Sequence, residues 1–144
     1  MKATLLIMLT FFLGKSCEEN SAKEMQGTII EYTANTRGFY SRITAEDGNV
    51  RISKDRSNTE TPRTVQLSES QQKAFADAFK EIDLDNMQNL KAPSEKRFYD
   101  GAAIGDLKIT YKGKLYKSQS FDHMDPPAGI AKLVNLMAEY TKNE

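Results

Sequence analysis

Phe39-Tyr40-Ser41-Arg42-Ile43-Thr44-Ala45-Glu46-Asp47-Gly48-Asn49-Val50-Arg51-Ile52-Ser53 decides the fold class. Phe39–Thr44 is aromatic and β-branched, which suits a pleated strand. Asn49–Ser53 returns with Val50 and Ile52 on one face. Between them stands Asp47-Gly48, a pair that accepts the positive φ angles of a tight two-residue hairpin turn. Two strands joined so closely must run antiparallel.

The same grammar extends in both directions. Upstream, Gly27–Thr33 reads as a strand and 34–38 as a turn. Downstream, 54–63 has no apolar period and reads as an exposed loop, followed by a short strand at 64–67. Ser68-Glu69-Ser70-Gln71 matches a capping box. Phe75, Ala78, Phe79 and Ile82 then recur at helical spacing, predicting a helix over 69–82. Residues 83–100 hold apolar side chains without a period. Leu107–Tyr111 alternates as a strand, Lys112-Gly113 turns it, and 114–121 returns. Asp125-Pro126-Pro127 reads as a helix start with Asp125 as cap, and Ile130, Leu133, Val134, Met137 and Tyr140 continue it. The order ββββαββα predicts an α+β fold: a mostly antiparallel sheet of five or six strands, with two helices packed on one face.

The N-terminus has another logic. Lys2 precedes an apolar run, Leu5 to Leu13, and then Gly14-Lys15-Ser16-Cys17. A run of nine residues is too short to cross a ~30 Å hydrocarbon core, but it fits the apolar region of a signal peptide. Cys17 is the only cysteine in the 144 residues, so it has no intrachain disulfide partner. The segment resembles a lipobox, the cleavage signal of bacterial lipoproteins. Ser16 and Gly14 supply small residues, although Gly14 stands where an aliphatic residue is usual and Lys15 adds a charge. Looser versions are typical of Bacteroidetes-type lipoproteins, and Glu18-Glu19 is similar to their surface-export signals. The resemblance implies a signal peptide at 1–16, a lipidated Cys17 opening a flexible tether to residue 26, and a single domain at 27–144. It places the chain in the bacterial cell envelope, held by acyl chains, at the outer membrane and exposed on its surface.

Composition narrows the function classes. Lys plus Arg equals Asp plus Glu at 20 each, and loss of Lys2 and Lys15 with the leader leaves an acidic excess of two. No basic excess points to nucleic acid. The 128 residues after cleavage suit one core.

The residues with the most chemistry are Phe121-Asp122-His123-Met124-Asp125-Pro126-Pro127, holding the only histidine between two aspartates. Asp122, His123 and Asp125 are the candidate functional residues. A His–Asp pair can orient a general base, and the same three side chains could contribute to a metal site. A catalytic zinc normally takes three protein ligands, and no second histidine or nucleophile motif is present. The sequence therefore favours a structural junction with a surface histidine. No EF-hand loop fits Asp47–Asn49 or Asp83–Asn86. The glycines at 101 and 105 suit a close backbone approach better than a phosphate cradle. Tyr111, Lys112, Lys114, Tyr116 and Lys117 could present a glycan- or anion-binding face, yet alternation alone puts lysines on a hairpin's solvent side. The Phe121–Pro127 junction and the element order look similar to small Bacteroidetes lipoproteins of unknown function. The expectation is a membrane-anchored, non-catalytic binding or interaction domain with a protein or glycan partner and no cofactor. The alternatives are a small envelope hydrolase using His123 and Asp122, or a structural subunit of an envelope assembly.

One acyl chain anchors marginally and two or more anchor stably, at ~0.8 kcal/mol per buried CH₂. Mass spectrometry of the membrane fraction should find an acylated N-terminal Cys17, and Cys17→Ser should release the protein from that fraction. Retention of the variant contradicts the lipid anchor.

Overall fold

The computed structural model describes residues 23–142. Cys17, the leader and the first part of the tether lie outside the described residues. Among the described residues, seven strands and the two α-helices named below form an α+β fold with a mostly antiparallel sheet. β1 (Ile29–Thr36) and β2 (Phe39–Glu46) are joined by two residues, so the turn expected at 34–38 is shorter and both strands are longer. β3 (Asn49–Ser53) follows the Asp47-Gly48 turn, where φ is 45° and 75°, the left-handed pair anticipated there. β4 (Arg63–Gln66) leads to α1 (Glu69–Lys80), two 3-10 turns (Met87–Asn89, Lys96–Tyr99), β5 (Ile104–Tyr111), β6 (Lys114–Lys117), β7 (Phe121–Asp122) and α2 (Ala128–Glu139). The strands lie in the order β4-β3-β2-β1-β5-β6, and β7 pairs with the start of β5.

Residues 23–26, expected in the tether, contact the domain. Met25 packs against the core, Glu24 pairs with Lys80 at 2.7 Å, and Thr28 N donates to Met25 O.

β7 differs from the expectation of one return arm over 114–121. Lys117 pairs with Lys108, but Phe121 pairs with Gly105. Three residues, 118–120, therefore face two, 106 and 107: a bulge of one residue. Ser118 holds it, its hydroxyl accepting from Leu107 N at 3.0 Å while its own N–H donates to Leu107 O. A one-residue offset reverses which face a side chain meets. Continued without the bulge, Phe121 would oppose exposed Ile104. With it, Phe121 opposes Gly105 and is fully buried.

One sheet face is the core face: Ile30, Tyr32, Ile43, Ala45, Val50, Ile52, Leu107 and Ile109 are buried there. Phe75, Ala78 and Phe79 of α1 and Ile130, Leu133, Val134 and Met137 of α2 join the same cluster. A large apolar side chain buried this way contributes ~1.5–3 kcal/mol. The other sheet face carries cross-strand charge pairs, Glu31 with Lys108 and Glu46 with Arg51.

The helix starts follow different rules. At α1 the capping box is complete: Ser68 Oγ accepts from Gln71 N, and Gln71 Oε1 accepts from Ser68 N. At α2 the expectation of Asp125 as cap is corrected. The cap residue is Pro127, with no side-chain cap bond. Asp125 lies two residues too early, and its carboxylate accepts from Ser94 instead.

A Cβ on Gly105 would stand 2.9 Å from Phe121 Cε2 and 3.3 Å from Tyr32 Oη. Gly105→Ala should therefore cost about 1–3 kcal/mol by overpacking. Gly38→Ala, where nothing lies within 4 Å, should change chemical-denaturation stability by no more than about 0.5 kcal/mol.

Candidate functional site at the strand-to-helix junction

The junction opens where β7 ends. Asp125 N donates to Asp122 O at 2.8 Å, closing a turn with His123 and Met124 at its centre. Met124 has a φ of 72°, a left-handed conformation that costs an L-residue roughly 1–2 kcal/mol. One backbone bond holds this turn to the sheet: His123 N donates to Ala103 O at 2.8 Å.

Asp122 is 1 % exposed. Its Oδ2 accepts from Ser94 Oγ at 2.7 Å and Lys96 N at 2.8 Å; its Oδ1 accepts from Arg97 N at 3.0 Å and Arg97 Nη1 at 3.1 Å. Burial by itself raises a carboxyl pKa. Here the bonds from Ser94, the two backbone N–H groups and the guanidinium outweigh burial and hold Asp122 well below the usual carboxylate range. The Arg97 side chain is largely buried and also donates to Ser94 O and Ser120 Oγ. Ser94 Oγ lies 2.5 Å from Asp125 Oδ2 as well. A hydroxyl carries one proton, so Ser94 bridges two carboxylates with a single donor.

His123 faces a different partner. Its Nδ1 is 2.6 Å from Tyr32 Oη, with Tyr32 and Phe39 rings at 5.9 and 5.7 Å. Burial pushes Tyr32 up to about 12, although the Met124 backbone N–H acts the other way. The phenol keeps its proton and donates it, so Nδ1 accepts and Nε2 carries the imidazole proton, an assignment made from the bond network. Burial also lowers the His123 pKa. The surface histidine of the sequence reading is thus half-buried and bonded.

These contacts limit the chemistry. The free lone pair of neutral His123 is engaged by Tyr32. The Asp122 oxygens face the 94–97 segment, and among the described residues no hydrogen bond joins Asp122 to His123. Asp122 and Asp125 come together through Ser94, with His123 turned toward β1. Among the described residues no group of three or more His, Cys, Asp or Glu is placed to hold a metal ion.

Exposed apolar side chains adjoin the junction. Phe39 and Met124 flank His123, Ile104 pairs with Asp122, and Phe98 and Tyr99 extend from the turn whose N–H groups bind Asp122. Phe98 and Tyr99 are 70 % and 72 % exposed, and the Arg97 guanidinium lies 4.3 Å over the Phe98 ring. On the second hairpin, Tyr111 and Tyr116 pack partly against the core, with Lys112 and Lys114 over their rings.

Tyr32, Ser94, Arg97 and Phe39 were not legible as partners of this junction. Tyr32 is 91 residues away from His123, and a tyrosine in a strand carries no sign of what its hydroxyl meets. No protein-family model matches the chain, and no curated protein sequence matches it significantly.

His123→Ala leaves the buried Tyr32 hydroxyl without its acceptor and should cost about 1–3 kcal/mol, more than the surface range. Because the folded state favours neutral His123, its contribution is fully present above about pH 6.5 and is lost as pH falls through that range. Denaturation profiles between pH 8 and 5 should show this fall in the wild type and a flatter profile in His123→Gln. Asp122→Asn should lower the melting temperature more than Asp125→Asn, since it disturbs four bonds at a buried carboxylate rather than one.

Proposed function

We propose that the chain is an envelope lipoprotein, anchored through acyl chains on Cys17, that presents a non-catalytic domain for binding a protein partner. In this reading the two helices cover one sheet face, the bacterial membrane lies at the anchored end, and the partner meets the rim around His123. The observation that carries it is that exposed Phe39 packs beside His123, exposed Ile104 pairs with Asp122, and exposed Met124, Phe98 and Tyr99 adjoin the same junction in sequence. Exposed apolar groups placed together on a soluble surface mark interaction sites. A turn held by a buried carboxylate gives that rim a fixed shape, which lowers the ordering cost of binding. A hydrolase would ask His123 and Asp122 to share a proton, and the engagement of Nδ1 by Tyr32 argues against it. A structural subunit would use the same rim with a permanent partner.

A photo-crosslinking residue at Met124 should yield one discrete adduct in intact cells, and the same residue at Lys73 on α1 should yield none. The Met124 adduct should disappear in Phe98→Ser/Tyr99→Ser. No adduct, or equal adducts at both positions, rejects the rim as the binding face.

A further inference from the structure

A second site lies at the opposite end of β1, independent of the junction. A pocket of about 270 Å³ opens between the segment before β1, the Asp47-Gly48 turn and the first turns of α1. Met25, Ala45, Leu67 and Phe75 give it an apolar wall, and Gln26, Thr28, Glu46, Asp47, Gly48 and Gln72 line the remainder. Its volume falls just under the ~300–1,000 Å³ usual for ligand sites, which suits a compact molecule.

Thr28 supplies the observation that points to a ligand. The residue is 2 % exposed, and its hydroxyl has no hydrogen-bond partner among the described residues. Buried polar groups are nearly always paired, so an orphan in a pocket wall calls for an explanation. The remaining polar lining is rich in acceptors. Gln72 Nε2 is committed to Leu67 O, leaving Oε1 without a partner among the described residues. Asp47 Oδ1 accepts from Gly27 N, leaving its other oxygen without a partner among the described residues, while the Glu46 carboxylate is turned to Arg51 on the open sheet face. The only charged residues of the lining are Glu46 and Asp47, both negative. A Cβ at Gly48 would come within 3.2 Å of Gln72 Nε2, so glycine keeps room for that amide.

We propose that this pocket binds a small primary amine with a compact apolar body. The body lies against Phe75, Leu67 and Ala45. The ammonium group donates to the free acceptors at the Asp47 rim and to the Thr28 hydroxyl oxygen.

The test is a titration of the full chain with 2-phenylethylamine, and with 3-phenylpropionate as the anion of similar shape, followed by calorimetry and amide chemical shifts. The amine should bind saturably with shifts at Thr28, Gly48 and Gln72, and the anion should not. Asp47→Asn retains a residue suited to positive φ and should weaken amine binding about tenfold or more, as loss of a charge-assisted bond predicts. Thr28→Val keeps the shape and removes the hydroxyl. It should weaken binding about fivefold while leaving the melting temperature unchanged or higher, because an unpaired buried group is gone. A melting temperature no lower than that of the wild type in both variants confirms that weaker binding is not unfolding. Equal binding of the anion, no saturable binding of the amine, or affinity indifferent to both substitutions overturns the proposal.

Discussion

A carboxylate removed from water governs the architecture of one whole end of this protein. Asp122 is almost fully buried, and isolated burial of that charge would be prohibitive. Ser94, the backbone of Lys96 and Arg97, and the Arg97 guanidinium together compensate it. The consequence is positional. The long irregular connection between α1 and β5 must return to the sheet edge, and its 94–97 segment must present two N–H groups to β7. A buried ion pair of this kind is a weak argument for stability, since well-packed apolar residues often do as well. What it supplies here is register, because only one placement of the segment satisfies both oxygens.

The second constraint is steric and meets the first at β7. Ser118 shifts the edge strand by one residue, which brings Phe121 to the core side and leaves Asp122 facing the 94–97 segment. Gly105 clears the space beneath the Phe121 ring, which stacks on Tyr32 at 6.0 Å with parallel planes. Tyr32 then reaches His123. The bulge, the glycine and the tyrosine thus form one packed sequence of contacts, and the histidine is oriented by the core rather than by its aspartate neighbours.

The two ends of β1 carry different chemistry. Thr28 and the amine pocket lie at its start, and Phe39 with the aromatic rim lies at its finish. An eight-residue strand separates them by roughly 25 Å at ~3.3 Å per residue. A macromolecular partner at the rim and a small molecule in the pocket would therefore not compete for space, while the shared strand connects them through one rigid element. The charged open face of the sheet, with Glu31–Lys108 and Glu46–Arg51, has the character of a solvated surface.

By itself, the sequence determined the features whose cause is local. Asp47-Gly48 dictates a hairpin because few other residue pairs accept two left-handed angles. Ser68 with Gln71 starts α1 because the capping atoms lie three residues apart. Phe75, Phe79, Leu133 and Met137 enter the core because helical periodicity puts them on one face. Tertiary structure alone decided the rest. Asp125 looked like a cap, but a short acidic side chain takes whichever donor is nearer, and folding brings Ser94 to it. Residues 114–121 looked like one strand, because the Ser118 hydroxyl that creates the bulge finds its N–H on another strand. His123 looked solvated between two aspartates, but a half-buried ring bonds what packing brings near. That group, Tyr32, comes from a strand 91 residues earlier, and no local pattern of residues records such a distance.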